Sequence, residues 1–205
     1  MGLRHACTWQ FSEMKSNDDP FYSPGPYPDD EPERQRVVDQ LVRARPDFSD
    51  LEQFVAQTAA LFQVPSAAIT ILDGHRQWIP VRTGMPVSTT QRSEAFCGHT
   101  ILQSDPLIVL DASQDERFEG NPLVLGDLSV RFHAGARIVL AGAPIGALCA
   151  LGPSPLQTVN DEQLDRLRAL SRQVAEHLAT QLALTGGEAR STPFIRVVEG
   201  NGDEN

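Results

Sequence analysis

LFQVPSAAITILDGHRQWIPVRTG, residues 61–84, decides the fold. Ala67 to Leu72 is short, apolar and partly β-branched, Asp73-Gly74 is a tight-turn pair, and Gln77 to Thr83 returns as a second extended run. Two such runs across a two-residue turn signal predict a β-hairpin. Pro65 closes the element before it, where Leu51, Phe54, Val55, Thr58 and Phe62 share one helical stripe. Ser49 and Glu52 have capping-box spacing at the start of that helix. A further helix over about 33–45 carries Val37, Val38, Leu41 and Val42 on one face.

Downstream, a loop with Gly84, Pro86 and Ser88 leads to a short helix, SEAFCGHTILQ (93–103), for which Ser93 is the expected cap. Leu107–Leu110 reads as a strand, and the polar stretch 111–122 as one helical turn and a loop. Val130–Leu140 and Pro144–Leu151 are two more strands, turning at Ala141-Gly142-Ala143. A long helix over about 159–184, capped by Thr158, aligns Leu164, Leu167, Leu170, Val174, Leu178 and Leu182. Strands adjacent in sequence with helices at both ends give an α+β class: an antiparallel sheet with the terminal helices on one face. Long connections and the short helix are left to cover the other face and form a pocket.

Residues 1–32 are read as a disordered leader, because DDPFYSPGPYPDDEP (18–32) suits neither helix nor strand. Met14 offers a second start. Residues 33–184 form the folded domain, and 185–205 a flexible tail with one apolar patch at 194–198. The net charge of −10 argues against nucleic acid and anionic membrane as partners. The chain shows no apolar run long enough to cross a membrane and no secretory signal, so a cytoplasmic location is expected. Cys7, Cys97 and Cys149 are too few for a disulfide scaffold and lack CxxC spacing, so no structural zinc site is expected. Walker, HExxH and GxSxG motifs are absent, and no residue pattern names a cofactor.

The 61–84 run, followed by FCGHTIL (96–102), LIVLDASQDERFEGNPLV (107–124), RFHAGARIV (131–139) and PIGALCAL (144–151), resembles the GAF domain of bacterial signalling proteins. The likeness spans about residues 36–184 with the blocks in order. It implies a sheet of about six strands, a small-molecule pocket opposite the helices, and dimerisation through terminal helices. It also implies a sensing or regulatory module rather than an enzyme. Matching the motifs gives as pocket candidates Trp78, Phe96, Cys97, His99, Asp111, Phe118, Asn121, Arg131 and His133. His133 stands where relatives more often carry Tyr, which adds a titratable group.

Each candidate has a plainer reading. Cys97 sits near a helix N-terminus, where a thiol can be activated, but His99 is about 200° round the helix from it and forms no dyad with it. Packing is the simpler role for Cys97, and for Cys149 on its strand. Trp78 either stacks on a ligand or covers the core. Arg131 and His133 share a strand face; they are either an anion clamp or a row on the sheet surface. Bilin-binding relatives attach pigment to a Cys followed directly by His, whereas Gly98 separates Cys97 from His99 here. The cysteines also fall outside the loop positions used by free methionine-sulfoxide reductases. Three functions follow in order: a ligand-responsive module with no output domain, acting through a partner protein or a dimer; an interaction module with a vestigial pocket; and a thiol redox sensor or reductase centred on Cys97.

Overall fold

The computed structural model describes residues 22–188, with side chains through 184. The alternative start at Met14, Cys7 and the 194–198 patch lie outside the described residues. Six strands form one sheet: β1 (Ser66–Asp73), β2 (Arg76–Thr83), β3 (Thr89–Gln91), β4 (Leu107–Val109), β5 (Phe132–Leu140) and β6 (Ala143–Gly152). Their order is β3-β2-β1-β6-β5-β4, with every neighbouring pair antiparallel. The five expected strands are present, and β3 is added at the edge where a loop was read.

Three helices cover one face: α1 (Glu31–Ala44), α2 (Glu52–Phe62) and α5 (Asp161–Glu188). Into the layer between them and the sheet go Val38 and Leu41 from α1, Val55 and Phe62 from α2, and Leu167, Leu170, Val174 and Leu178 from α5. Ala67, Ile69, Ile71, Phe132, Ile138 and Leu148 meet them from the sheet. Burying each large aliphatic side chain contributes about 1.5–3 kcal/mol. The opposite face is covered by two short helices, α3 (Phe96–Thr100) and α4 (Pro122–Leu125), and by the connections around them.

The helix starts differ from the sequence reading. Ser49 does not cap α2; its N–H is bonded to Asp47 Oδ1, and a 3₁₀ turn over Ser49–Leu51 precedes the helix. Ser93 likewise lies inside a 3₁₀ turn, and α3 starts at Phe96 without a side-chain cap. At α5 the cap is Asn160 rather than Thr158. Asn160 Oδ1 accepts from the Gln163 N–H while Gln163 Oε1 accepts from the Asn160 N–H, a reciprocal pair.

Residues 22–30 fall within the segment expected to be a disordered leader. They have no helix or strand of their own and instead lie as a strap across α3. A Cβ on Gly25 would come within 2.4 Å of the Gly98 carbonyl carbon, so only glycine permits this approach. The Ser23 N–H donates to Arg117 O, and His99 Nε2–H donates to Ser23 O at 2.7 Å. Tyr27 packs under the Arg92 guanidinium, 3.9 Å from its ring centroid, and bonds His75 Nδ1 through its hydroxyl.

Beyond the strap a buried ion cluster joins α1 to the hairpin. Glu31 receives Nε and Nη2 of Arg34 and both terminal nitrogens of Arg92. Arg34 also donates to Leu72 O, and Arg92 to Gly74 O. Both arginines are almost wholly buried. Burial alone would raise the Glu31 carboxyl, but the hydrogen bonds from Arg34 and then Arg92 bring it down to about 2.

A carboxylate depressed on folding contributes stability that is full above its ordinary value of 4.5 and lost as pH falls toward about 2. Glu31→Gln should therefore cost about 3 kcal/mol at neutral pH, the scale for breaking a buried ion pair. It should also remove part of the acid dependence in that window. Urea unfolding followed by circular dichroism from pH 7 to pH 2.5 checks both; an unchanged midpoint at pH 7 would show that the cluster is not coupled to folding.

Candidate functional site

Between the sheet and the α3/α4 cover lies a cavity of about 20 Å³. Its floor is Ala68 and Thr70 of β1, Gln77 and Ile79 of β2, His133 of β5, and Cys149 and Leu151 of β6. Phe96 and Cys97 of α3 form one wall; Met85, Thr90, Leu123, Leu128 and Val130 close the rest. A groove of about 290 Å³ opens to the surface alongside, between Pro65-Ser66, Gly84–Pro86, Asp127 and Gly152-Pro153. Met85, Leu128, Val130 and Leu151 border both spaces, so these four side chains stand between the outer groove and the inner cavity.

The wall is apolar, yet three polar atoms facing this region have no hydrogen-bond partner: Nδ1 and Nε2 of His133, and Oε1 of Gln77. His133 is fully buried. Its ring stacks on Phe96 with centroids 5.1 Å apart, and Phe96 stacks on Phe118 at 4.1 Å. It lies over Gly135, where a Cβ would come 2.8 Å from its Cε1. The Sγ atoms of Cys97 and Cys149 are 4.0 Å apart, and one donor atom from each of Cys97, His133 and Cys149 falls within 4.8 Å of the others. Cys149 hydrogen bonding, against the opposing effect of burial, holds the Cys97 thiol well below its usual range, and nearby His133 adds to this. The same contact and burial push Cys149 well above it. The pair thus shares a proton more readily than it loses two.

Of the residues expected in the pocket, Phe96 and Cys97 line its wall and His133 its floor, and Phe118 stands directly behind Phe96. His99 is one layer further out, edge-on to Phe118 at 4.9 Å and bonded to the strap. Cys97 and His99 point apart, as the helical rotation requires; the imidazole beside Cys97 is that of His133.

The other four shape the cover or lie elsewhere. Asp111 accepts from the Ser113 N–H and hydroxyl, closing a turn. Asn121 caps α4 through the Leu123 N–H and donates to Glu94 O, tying the two short helices' approaches together. Arg131 donates to Val124 O and Val130 O, so no anion clamp with His133 is assembled. Trp78 faces the helices, edge-on to Phe48 at 5.3 Å. The cause is a bulge in β2: Val81 pairs with Ile69 and Trp78 with Ile71, so both turn to the helical side while Gln77 and Ile79 face the cavity.

Thr70, Gln77 and Cys149 were not expected here. Thr70 is a polar position within a largely apolar strand, which was its one visible signal, whereas Gln77 sits in the mixed strand RQWIPVRT and gave none. The proximity of Cys149 to His133 arises from strand pairing, with Gly135 opposite Cys149 and Leu151 opposite His133.

A GAF domain profile matches residues 50–178. The chain belongs to the GAF domain family. A cyclic di-GMP phosphodiesterase of Pseudomonas aeruginosa is 36% identical over 172 residues, which is 83% of this chain but 28% of that relative. This chain therefore spans little more than a quarter of its length. Among solved structures, the blue-light-absorbing PixJ GAF domain of Thermosynechococcus elongatus superposes with TM-score 0.57 at 15% identity, covering 77% of this chain and 95% of that one. The GAF domain of an Acinetobacter phosphoenolpyruvate-protein phosphotransferase gives 0.54 at 21% identity, covering 74% and 98%. These structural likenesses establish the shared α+β fold. Among the described residues no helix is long and apolar enough to cross a membrane.

His99 gives the site's cover a pH signature. Burial, with the Ser23 hydrogen bond opposing it and Arg117 assisting, lowers its affinity for a proton below the ordinary 6.5. The unfolded chain then binds more protons below that pH, so stability falls as pH drops through the range. His99→Asn should lose less melting temperature between pH 7.5 and 5.5 than the parent does. A parent and variant that lose the same amount would remove His99 as the cause.

Proposed function

We propose that this GAF domain is a ligand-responsive regulatory module rather than an enzyme, taking a small molecule into the cavity through the adjoining groove. The observation that carries the reading is polar demand without supply: His133 and Gln77 present unpartnered atoms within an otherwise apolar enclosure. A buried polar group left unsatisfied costs about 1–3 kcal/mol, and a ligand with one or two polar atoms on an apolar body would recover that cost.

The cavity at about 20 Å³ holds about one water molecule, so a ligand enters only if Met85 and Leu128 move outward. The displaced cover then shifts α3 and, through the Gly25–Gly98 approach and the His99–Ser23 bond, the strap that leads into α1. That route connects the pocket face to the helical face. The match to part of a cyclic di-GMP phosphodiesterase supports control of cyclic dinucleotide turnover as the output, exerted on a partner or through a dimer of terminal helices. The small cavity favours one competitor: an interaction module whose pocket has closed for good.

Native mass spectrometry of the protein purified from its own host, against its denatured mass, separates the two readings. The sensor reading expects an organic mass that is lost on denaturation and retained at least tenfold less by Leu128→Trp, which fills the passage. The absence of any retained mass, together with no thermal shift across a cytosolic metabolite extract, would favour the interaction module.

A further inference from the structure

We propose that Cys97, His133 and Cys149 form a soft-metal site, which binds one divalent zinc-class ion through two thiolates and one imidazole with a fourth position open to the cavity. The inference goes beyond the ligand-sensing reading and does not depend on an organic ligand being found.

Three features on independent elements converge. Cys97 comes from α3, His133 from β5 and Cys149 from β6, and their donor atoms lie within 4.8 Å of one another. The imidazole is fully buried with both nitrogens unpartnered, although it stands beside two thiols. The space the donors face is about the size of one small occupant.

Distance separates a metal from the obvious alternative. Two sulfurs on a tetrahedral zinc, at bonds of about 2.3 Å, sit about 3.8 Å apart. The two Sγ atoms are at 4.0 Å, so a metal needs almost no movement of the sulfurs. A disulfide needs about 2.05 Å, so the two sulfurs as placed would have to close by about 2 Å to form one. Charge selects the ion. Two thiolates neutralise a divalent cation, whereas a monovalent one would leave net negative charge in an apolar enclosure, which is costly. Oxygen-seeking cations are excluded by the donor set. On binding, whatever protons the two thiols carry leave to solvent as the two sulfur–metal bonds form, and no electron is transferred. The open position faces the cavity that Gln77 also lines, and one of its occupants can be the polar atom of a ligand.

The test uses the full chain with Cys7→Ser, so that Cys97 and Cys149 are the remaining thiols. After reduction and chelation, titration with cobalt(II) should give an intense thiolate-to-metal charge-transfer band saturating at one equivalent, displaced by zinc. Release of protons on adding zinc in weakly buffered solution should accompany it. Cys97→Ser and Cys149→Ser should each abolish the band. His133→Asn should weaken cobalt binding at least tenfold, and Gly135→Ala should weaken it by displacing the ring with all three donors kept. Circular dichroism identifies variants that remain folded. No charge-transfer band in the folded parent, or a band that survives Cys149→Ser, would overturn the site. Loss of the band with the retained organic mass unchanged would separate this site from the sensor reading.

Discussion

The two central strands, β1 and β6, are sealed on both faces, and the rest of the architecture follows from that constraint. Along β1, Ala67, Ile69 and Ile71 enter the helical layer while Ala68 and Leu72 enter the cover on the other side. A strand buried this way has no tolerance for slippage, since a one-residue shift would exchange its two faces. The approach of β6 is equally constrained: a Cβ at Gly146 would come 1.8 Å from Thr70 O, so the pair can be this close only with glycine there. One face is covered by long helices with regular apolar stripes. The other is covered by short helices and loops, whose backbone polar groups need local partners. Asp111, Asn121 and Arg131 supply those partners.

This division explains where the unsatisfied polar atoms collect. The helical face offers a continuous apolar surface and carries few polar side chains; buried Thr58 bonds Phe54 O, and Ser171 bonds Arg137 O. On the loop face, packing is set by turns and caps rather than by a repeating stripe, and it leaves a small space lined by Gln77, Thr70, His133 and two thiols. A single water has room there, but it cannot serve both His133 nitrogens, which project from different edges of the ring.

The fold was legible where periodicity is long. Of the six α5 stripe residues, Leu167, Leu170, Val174 and Leu178 are fully buried, and Leu164 and Leu182 toward the two ends are partly buried. The hairpin turn shows directly in Asp73-Gly74, with Gly74 at φ 56°. The site was less legible, for specific reasons. Alternation cannot reveal the β2 bulge, so the sequence leaves Trp78 open between pocket and core, and the structure places it on the helical core. The strap at 22–30 has the composition of a disordered leader, and its contacts, Gly25 on Gly98, Ser23 with His99 and Arg117, and Tyr27 with Arg92, join residues far apart in sequence. Cys97 and His99 are neighbours in sequence and point apart, whereas Cys97, His133 and Cys149 are distant in sequence and converge. Local spacing therefore gave no sign of the cluster.

The Glu31 cluster shows how the two faces can be coupled without a contact through the sheet. Glu31 belongs to α1 on the helical side, yet it holds Arg92, which lies just ahead of the α3 that walls the cavity. Arg34 and Arg92 also bond the backbone at the β1–β2 turn, so the cluster grips the hairpin end from both sides. Charges buried in this way are strong only while every partner stays in place. A displacement of α3 that pulled on Arg92 would cost more at Glu31 than at any exposed ion pair. The energetically cheaper motion leaves Arg92 fixed, pivots α3 about that end, and swings the far end of the cover, where Met85 and Leu128 meet the groove. The buried cluster acts as the fixed end, and the groove side as the end that can open.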